Sequence, residues 1–195
     1  MRILKLFILL LNFSLFSLTA QEATNVIDTE SSTLNWVGKK ITTSQHNGSL
    51  KFLSGELKIC TNNDGSESLV CGGKFSVDMT SLLVEDLTGS GKKRLEGHLK
   101  SDDFFSVNKH KTAYLSINSS KATDSGFIAQ GSLTIKDITH PIEFKLTRNL
   151  GGFVADLVFD RSKYNVRYNS GSFFENLGDN LILDDIELTA NLYFQ

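Results

Sequence analysis

The stretch RLEGHLKSDDFFSV, residues 94–107, brings together His98, Ser101, Asp102 and Asp103. These are the residue types of a hydrolytic triad. On a helix, His98 lies three positions from Ser101 and four from Asp102, a spacing at which side chains touch. Triad chemistry needs more than contact. The nucleophile must face a substrate beside an oxyanion hole, and different segments of a fold supply these parts. One surface helix supplies neither. The Ser-Asp-Asp run therefore reads as the end of a helix. Leu95 and Leu99 form its inward face, Phe104 and Phe105 continue that apolar surface, and the unit reads as a lid or plug.

Other chemistry-bearing groups are sparse. His46, His110 and His140 are scattered without ligand spacing, so no metal site is expected. Cys60 and Cys71 flank TNNDGSESLV, whose centre is rich in turn residues. They are expected to form a disulfide across a hairpin, the alternative being two free thiols. NGS (47–49) and NSS (118–120) match the glycosylation acceptor pattern and read as chance. In DRSKYNVRYNSGSFF (160–174), Arg161, Tyr164, Arg167 and Tyr168 concentrate hydrogen-bond donors ahead of Phe173 and Phe174. One reading is a polar collar at a cavity mouth that meets a ligand head group. The other is a strand end and a surface loop, with Arg161 paired to a carboxylate.

The elements that would position these groups are mostly strands. SLKFLSGELKI, KFSVDM, AYLSIN, GSLTIKD, PIEFKLT, VADLVFD and DIELTANLYF all alternate apolar and polar residues. Period two means strands with one wet face. NNDGSES, SKATDSG and RNLGG separate them as turns. About eight antiparallel strands in one domain suggest a sandwich or an up-and-down barrel, and a barrel removes exposed edges. Residues 84 to about 101 read as helix, starting near Gly91 because Gly89 and Gly91 weaken the first turns. YNSGSFFENLGDN (168–180) reads as a second, shorter helix capped by Asn169 or Ser170 and ending before Gly178. The final NLYFQ coincides with a protease-site sequence, with Ala190 in place of Glu. Its unbroken alternation through Phe194 reads as strand.

The 195-residue chain carries 20 basic and 22 acidic side chains. Without a basic cluster, nucleic acid is not an expected partner. Arg2, Lys5, the apolar run LFILLLNFSLFSL and Ala20 read as a signal peptide over residues 1–20, cut near Gln21. A membrane anchor is the competing reading. Residues 21–195 then form a single domain in the periplasm or outside the cell, where a disulfide is at home.

STLNWVGKK, SQHNGSLKFLSGEL, GGKFSVDMTSL, RLEGHLKSDDFFSV, GSLTIKDITHPIEF and DRSKYNVRYNSGSFFENLGDNLILDDIEL, in this order, resemble the YceI-like family. The likeness covers residues 26 to 192. It departs where VNKHKTAYL lacks a common proline and where Asp137 stands at a position that is commonly Gly. The resemblance implies an exported, all-β, lipocalin-like antiparallel barrel with one main helix and a short second one. It implies that a polyisoprenoid or similar long apolar lipid, such as an isoprenoid quinone, sits inside. Such a protein is not an enzyme and has no covalent cofactor. Its partners are the lipid and, transiently, a membrane, with the oligomeric state left open. Expected cavity residues are Trp36, Leu50 and Phe52, then Phe75 and Val77, the lid residues Leu95, Leu99, Phe104 and Phe105, and Leu115, Ile117, Leu133 and Ile135. Two other readings stand beside it. One is a solid-core envelope protein without a ligand, since a small barrel can be filled by its own side chains. The other is a hydrolase or isomerase of a small apolar substrate.

Overall fold

A computed structural model describes residues 21–61 and 68–195. The expected signal segment lies outside the described residues. The strands are β1 (Gln21–Val26), β2 (Thr33–Lys40), β3 (Gln45–Thr61), β4 (Ser68–Val84), β5 (Thr112–Thr123), β6 (Gly126–Ile135), β7 (Ile138–Asn149), β8 (Gly152–Asp160) and β9 (Ile182–Tyr193). Helix α1 (Gly89–Lys100) lies between β4 and β5.

Strands β2 to β9 pair antiparallel with their sequence neighbours, and β9 returns to β2. The result is a closed eight-stranded meander barrel, and β1 adds to the far half of β3. Closure follows from the alternation. Phe153, Ala155, Leu157 and Phe159 are buried along β8, as are Ile186, Ala190 and Leu192 along β9. The alternation of NLYFQ is also real: Leu192 is buried, Phe194 bridges to Ile27, and the Gln195 amide donates to the Val26 carbonyl.

The two ends of the barrel differ. One carries short connections, 124–125 and 150–151 among them. The other carries 41–44, the α1 segment 85–111, the turn 136–137 and the segment 161–181. We call this the lid end. In its β6–β7 turn, Lys136 and Asp137 both take positive φ, 51° and 60°. Two such residues define a type I′ hairpin turn, which explains why Gly suits position 137 and why Asp, tolerant of this region, replaces it.

Two elements differ from expectation. Helix α1 begins at Gly89 rather than near Gly91. The second helix does not form. Its segment holds only a 3-10 turn at Gly178–Asn180, and another such turn precedes it at Arg161–Tyr164. Ser170 still acts as a local cap: its Oγ accepts from the Ser172 amide at 3.2 Å. But its hydroxyl also donates to Asp184 at 2.8 Å, so the segment is tied to β9 instead of coiling on itself.

Cys60 and Cys71 are bonded, with Cα atoms 5.7 Å apart. They are not directly opposed. Cys60 faces Leu69, while Lys58 faces Gly72 and Ile59 faces Val70, which leaves Cys71 as the extra residue of a bulge. Diagonal neighbours in a regular ladder lie about 7–8 Å apart, and the bulge closes that gap. Replacing both cysteines with serine is expected to lower stability by about 3 kcal/mol at most, because the closed loop is short. Urea unfolding of the Cys60→Ser/Cys71→Ser protein against the oxidised parent measures it.

Candidate functional site: an apolar cavity closed by a helix

The inward faces of all eight barrel strands enclose an apolar cavity of about 110 Å³. Trp36, Leu50, Phe52, Phe75, Val77, Leu115, Ile117, Leu133 and Ile135 line it, with Phe105 from the lid segment. Leu95, Leu99 and Phe104 line a second apolar cavity of about 80 Å³ beneath α1. Trp36, Phe105 and Ile186 belong to both walls, so only side chains separate the two spaces.

The wall expected from sequence is incomplete on the β7–β9 side. Phe144, Leu146, Ala155, Leu157, Phe159, Ile186, Leu188, Ala190 and Leu192 also line the main cavity. The signal was the same alternation that marked the other strands. What made the space is visible too: Ala113, Ala155 and Ala190 occupy inward positions that a Leu or Phe would fill.

Trp36 is held in place by two contacts. Its indole N–H donates to the Leu83 carbonyl at 3.2 Å. A Cβ on Gly48 would come within 2.9 Å of the indole and 1.8 Å of the Leu83 carbonyl oxygen. Glycine in HNGS thus lets an aromatic plate lie against bare backbone at the junction of the two cavities.

The proposed collar divides in two. Arg161 is fully buried. It donates to the carbonyls of Leu183 (3.2 Å), Val166 (3.0 Å) and Ile182 (3.0 Å), and pairs with Asp184 at 3.2 Å. Burial pulls its pKa below the ordinary value, and Asp184 and Asp160 oppose that pull. All its contacts are to the chain itself. Arg161 is a staple between the 161–166 turn and the start of β9, the carboxylate-paired reading of the two offered by the sequence. Tyr164 likewise faces inward, at 2 % exposure. Strand β7 pairs with β8 only from Lys145 to Asn149, leaving a seam at the lid end. The Tyr164 ring fills that seam edge-on against His140 (5.3 Å) and Phe159 (5.6 Å).

Arg167 and Tyr168 do reach solvent. With Asp102, Asp103, Lys136, Asn165 and Phe174 they line a polar outer cleft of about 620 Å³. Arg167 lies over the Phe173 ring at 4.8 Å, and the Lys136 ammonium donates to the carbonyls of Phe104 (3.1 Å) and Asn165 (2.8 Å). Burial lowers the Lys136 pKa.

No triad assembles. The Ser101 hydroxyl donates to the His98 carbonyl at 2.7 Å and caps α1, while Asp102 pairs with Lys109 at 2.7 Å. The His98 ring packs against Tyr168 (4.3 Å) and Phe104 (5.7 Å). Among the described residues, the one grouping with metal-ligand atoms in reach is Glu22, Cys60 and Cys71, whose sulfurs are already bonded to each other.

A closed lipocalin-like barrel with an apolar interior and a helical lid is the class of protein that this geometry defines. The profile of the YceI-like domain matches residues 26–194, and the chain belongs to the YceI-like family. A comparison with curated sequences finds no match. Among solved structures, BcnA of Burkholderia cenocepacia shares the fold with a TM-score of 0.57 and 16 % identity, over 85 % of this chain and 98 % of that one. A polyisoprenoid binding domain from Saccharophagus degradans, implicated in plant cell wall breakdown, gives 0.53 and 13 %, over 88 % and 97 %. A variant of the Campylobacter jejuni YceI protein gives 0.50 and 16 %, over 74 % and 84 %.

The buried pair and its tyrosine neighbour each carry an expected outcome. Arg161→Met keeps the volume but orphans three carbonyls and removes the partner of Asp184. It is expected to cost about 3–5 kcal/mol, read by urea unfolding. For Tyr164, burial, followed by Asp160, raises the pKa above 10.0. The folded chain then keeps a proton that the unfolded chain has lost, so stability falls as pH rises from 10.0 toward the folded-state value. Unfolding series across that range should be flatter in Tyr164→Phe.

Proposed function

We propose that the chain binds and carries a long-chain apolar lipid, a polyisoprenoid or an isoprenoid quinone, without catalysing a reaction. The observation that carries the reading is the apolar cavity inside the barrel. A barrel packed solid by its own side chains would have no such space. The polyisoprenoid binding domain from Saccharophagus degradans, which shares the fold, supports the ligand class. The scattered Ser, His and Asp side chains support a binding protein over a hydrolase.

The physical balance favours carriage. A ~150 Å³ cavity lined by Leu, Ile and Phe stays dry and takes up benzene. The main cavity is of that order, and a longer chain reaches the lid cavity once Phe105 turns aside. Burial of a tail from water is worth about 0.8 kcal/mol per methylene. Summed over a long isoprenoid, that exceeds the roughly 20 kcal/mol limit of real affinities. The donor, however, is a bilayer, already apolar, so tail transfer is near neutral and head-group contacts decide selectivity. The lid end also carries the surface for membrane contact. Tyr168, Phe173 and Phe174 are 41 %, 40 % and 50 % exposed there, beside the outer cleft. Exposed aromatic rings of this kind lodge in the headgroup region of a membrane. In this reading the segment 1–20 exports the protein to the periplasm or beyond.

Organic extraction of protein expressed with its first twenty residues, followed by lipid mass spectrometry, should recover an isoprenoid at near one per chain. Ala155→Phe, which fills the cavity from β8, should fold yet carry less than a tenth of that amount. Equal loading of both proteins, or no lipid in either, would defeat the carrier reading.

A further inference from the structure

The His98 imidazole lines the lid cavity, and its Nε2 is buried without a hydrogen-bond partner. An orphaned buried nitrogen is costly, and native folds rarely keep one without a use. Around it stand Leu95, Leu99, Phe104, Phe105, Trp36 and Ile186. Of the polar residues at the rim, Lys39 bonds Glu187 and His46 bonds Asp86 at 2.7 Å, while Lys40 and Ser44 complete the wall. A water needs two to four polar partners to settle, and this wall supplies few. The ring itself is braced edge-on by Tyr168 and Phe104, so its aim is fixed by packing.

We propose that the lid cavity is the head-group pocket, and that His98 Nε2 hydrogen-bonds a neutral oxygen, a hydroxyl or carbonyl, at the end of the lipid chain. The proposal rests on the carrier reading above and adds the chemistry of the head. An imidazole nitrogen donates or accepts according to its tautomer, so it suits an alcohol or a quinone carbonyl alike. A phosphate beside His98 would lie among Leu95, Leu99, Phe104 and Phe105, with the lysines Lys39 and Lys40 at the rim, and burying unmatched charge costs far more than burying a hydroxyl. The position agrees with the cavity wall. A chain in the barrel that passes Phe105 and Trp36 ends beneath α1, against His98. Tyr168, expected from sequence to meet the head directly, serves here as the brace behind the ring.

The test is equilibrium binding of three probes to the purified full chain: geranylgeraniol, its diphosphate and the matching hydrocarbon without a head. The folded protein should bind the alcohol roughly tenfold more tightly than the hydrocarbon, one hydrogen bond to a buried partner being of that order. His98→Leu should lose that preference while holding the hydrocarbon as before, and His98→Gln should keep part of it. Should His98→Leu not fold, the ¹⁵N resonance of His98 Nε2 carries the same test, because it should move on addition of the alcohol and stay in place with the hydrocarbon. An unchanged preference in His98→Leu, an unmoved resonance, or tighter binding of the diphosphate than of the alcohol overturns the proposal. Failure of the unmodified protein to bind any of the three overturns the carrier reading, and the head-group pocket with it.

Discussion

Closure of the barrel is the constraint on which everything else depends. Once β9 pairs with β2 and β3 with β4, the wall satisfies the backbone groups of its strands internally, except along the seam between β7 and β8. The interior then has only side chains to fill it. Eight strands give a width that side chains can just fill or that can hold one small ligand. Which of the two occurs is decided by a few inward positions. Ala113, Ala155 and Ala190 are small where their neighbours Ile117, Leu157 and Ile186 are large, and the space that remains is the cavity. Hollowness is therefore a matter of three methyl groups more than of overall composition.

The lid end bears the cost of keeping that space accessible. Long connections meet there, and their backbone groups have no ladder to join. Arg161 supplies the missing donors, reaching three carbonyls of the turn after β8 and the start of β9. Asp184 balances its charge and also accepts from Ser170 and Ser172, so one ion pair organises the whole segment 161–184. A buried pair of this kind is weak evidence for added stability but a strong device for fixing one conformation, and here it fixes the rim of the barrel. Tyr164 completes the rim by filling the seam where β7 and β8 part.

Much of this was legible in the sequence, and the failures have physical reasons. Strict alternation placed Phe52, Phe75 and Leu133 on the inner face, because a period of two has one meaning in an antiparallel barrel. The same alternation held for Phe144, Leu157 and Ile186, which pointed inward equally. The collar was half legible. Arg161, Tyr164, Arg167 and Tyr168 look alike as residue types, but a 3-10 turn and a left-handed Asn165 send the first two inward and leave the last two at the surface. Nothing local in the sequence reports that the partner of Arg161 lies on β9. The apparent triad fails for the complementary reason. His98, Ser101 and Asp102 are close in sequence but act apart. His98 forms cavity wall, Ser101 caps the helix, and Asp102 joins a surface ion pair.

Paramagnetic NMR tests the central claim, that a lipid chain lies inside the barrel, most directly. An isoprenoid bearing a nitroxide at its tail end, added at one equivalent, should broaden the methyl signals of Leu133, Leu157 and Ile117 on the cavity wall. Those of Leu150, which is exposed in the connection at the opposite end of the barrel from the lid, should broaden far less. Broadening confined to the outward methyls, with the cavity signals untouched, would contradict the account.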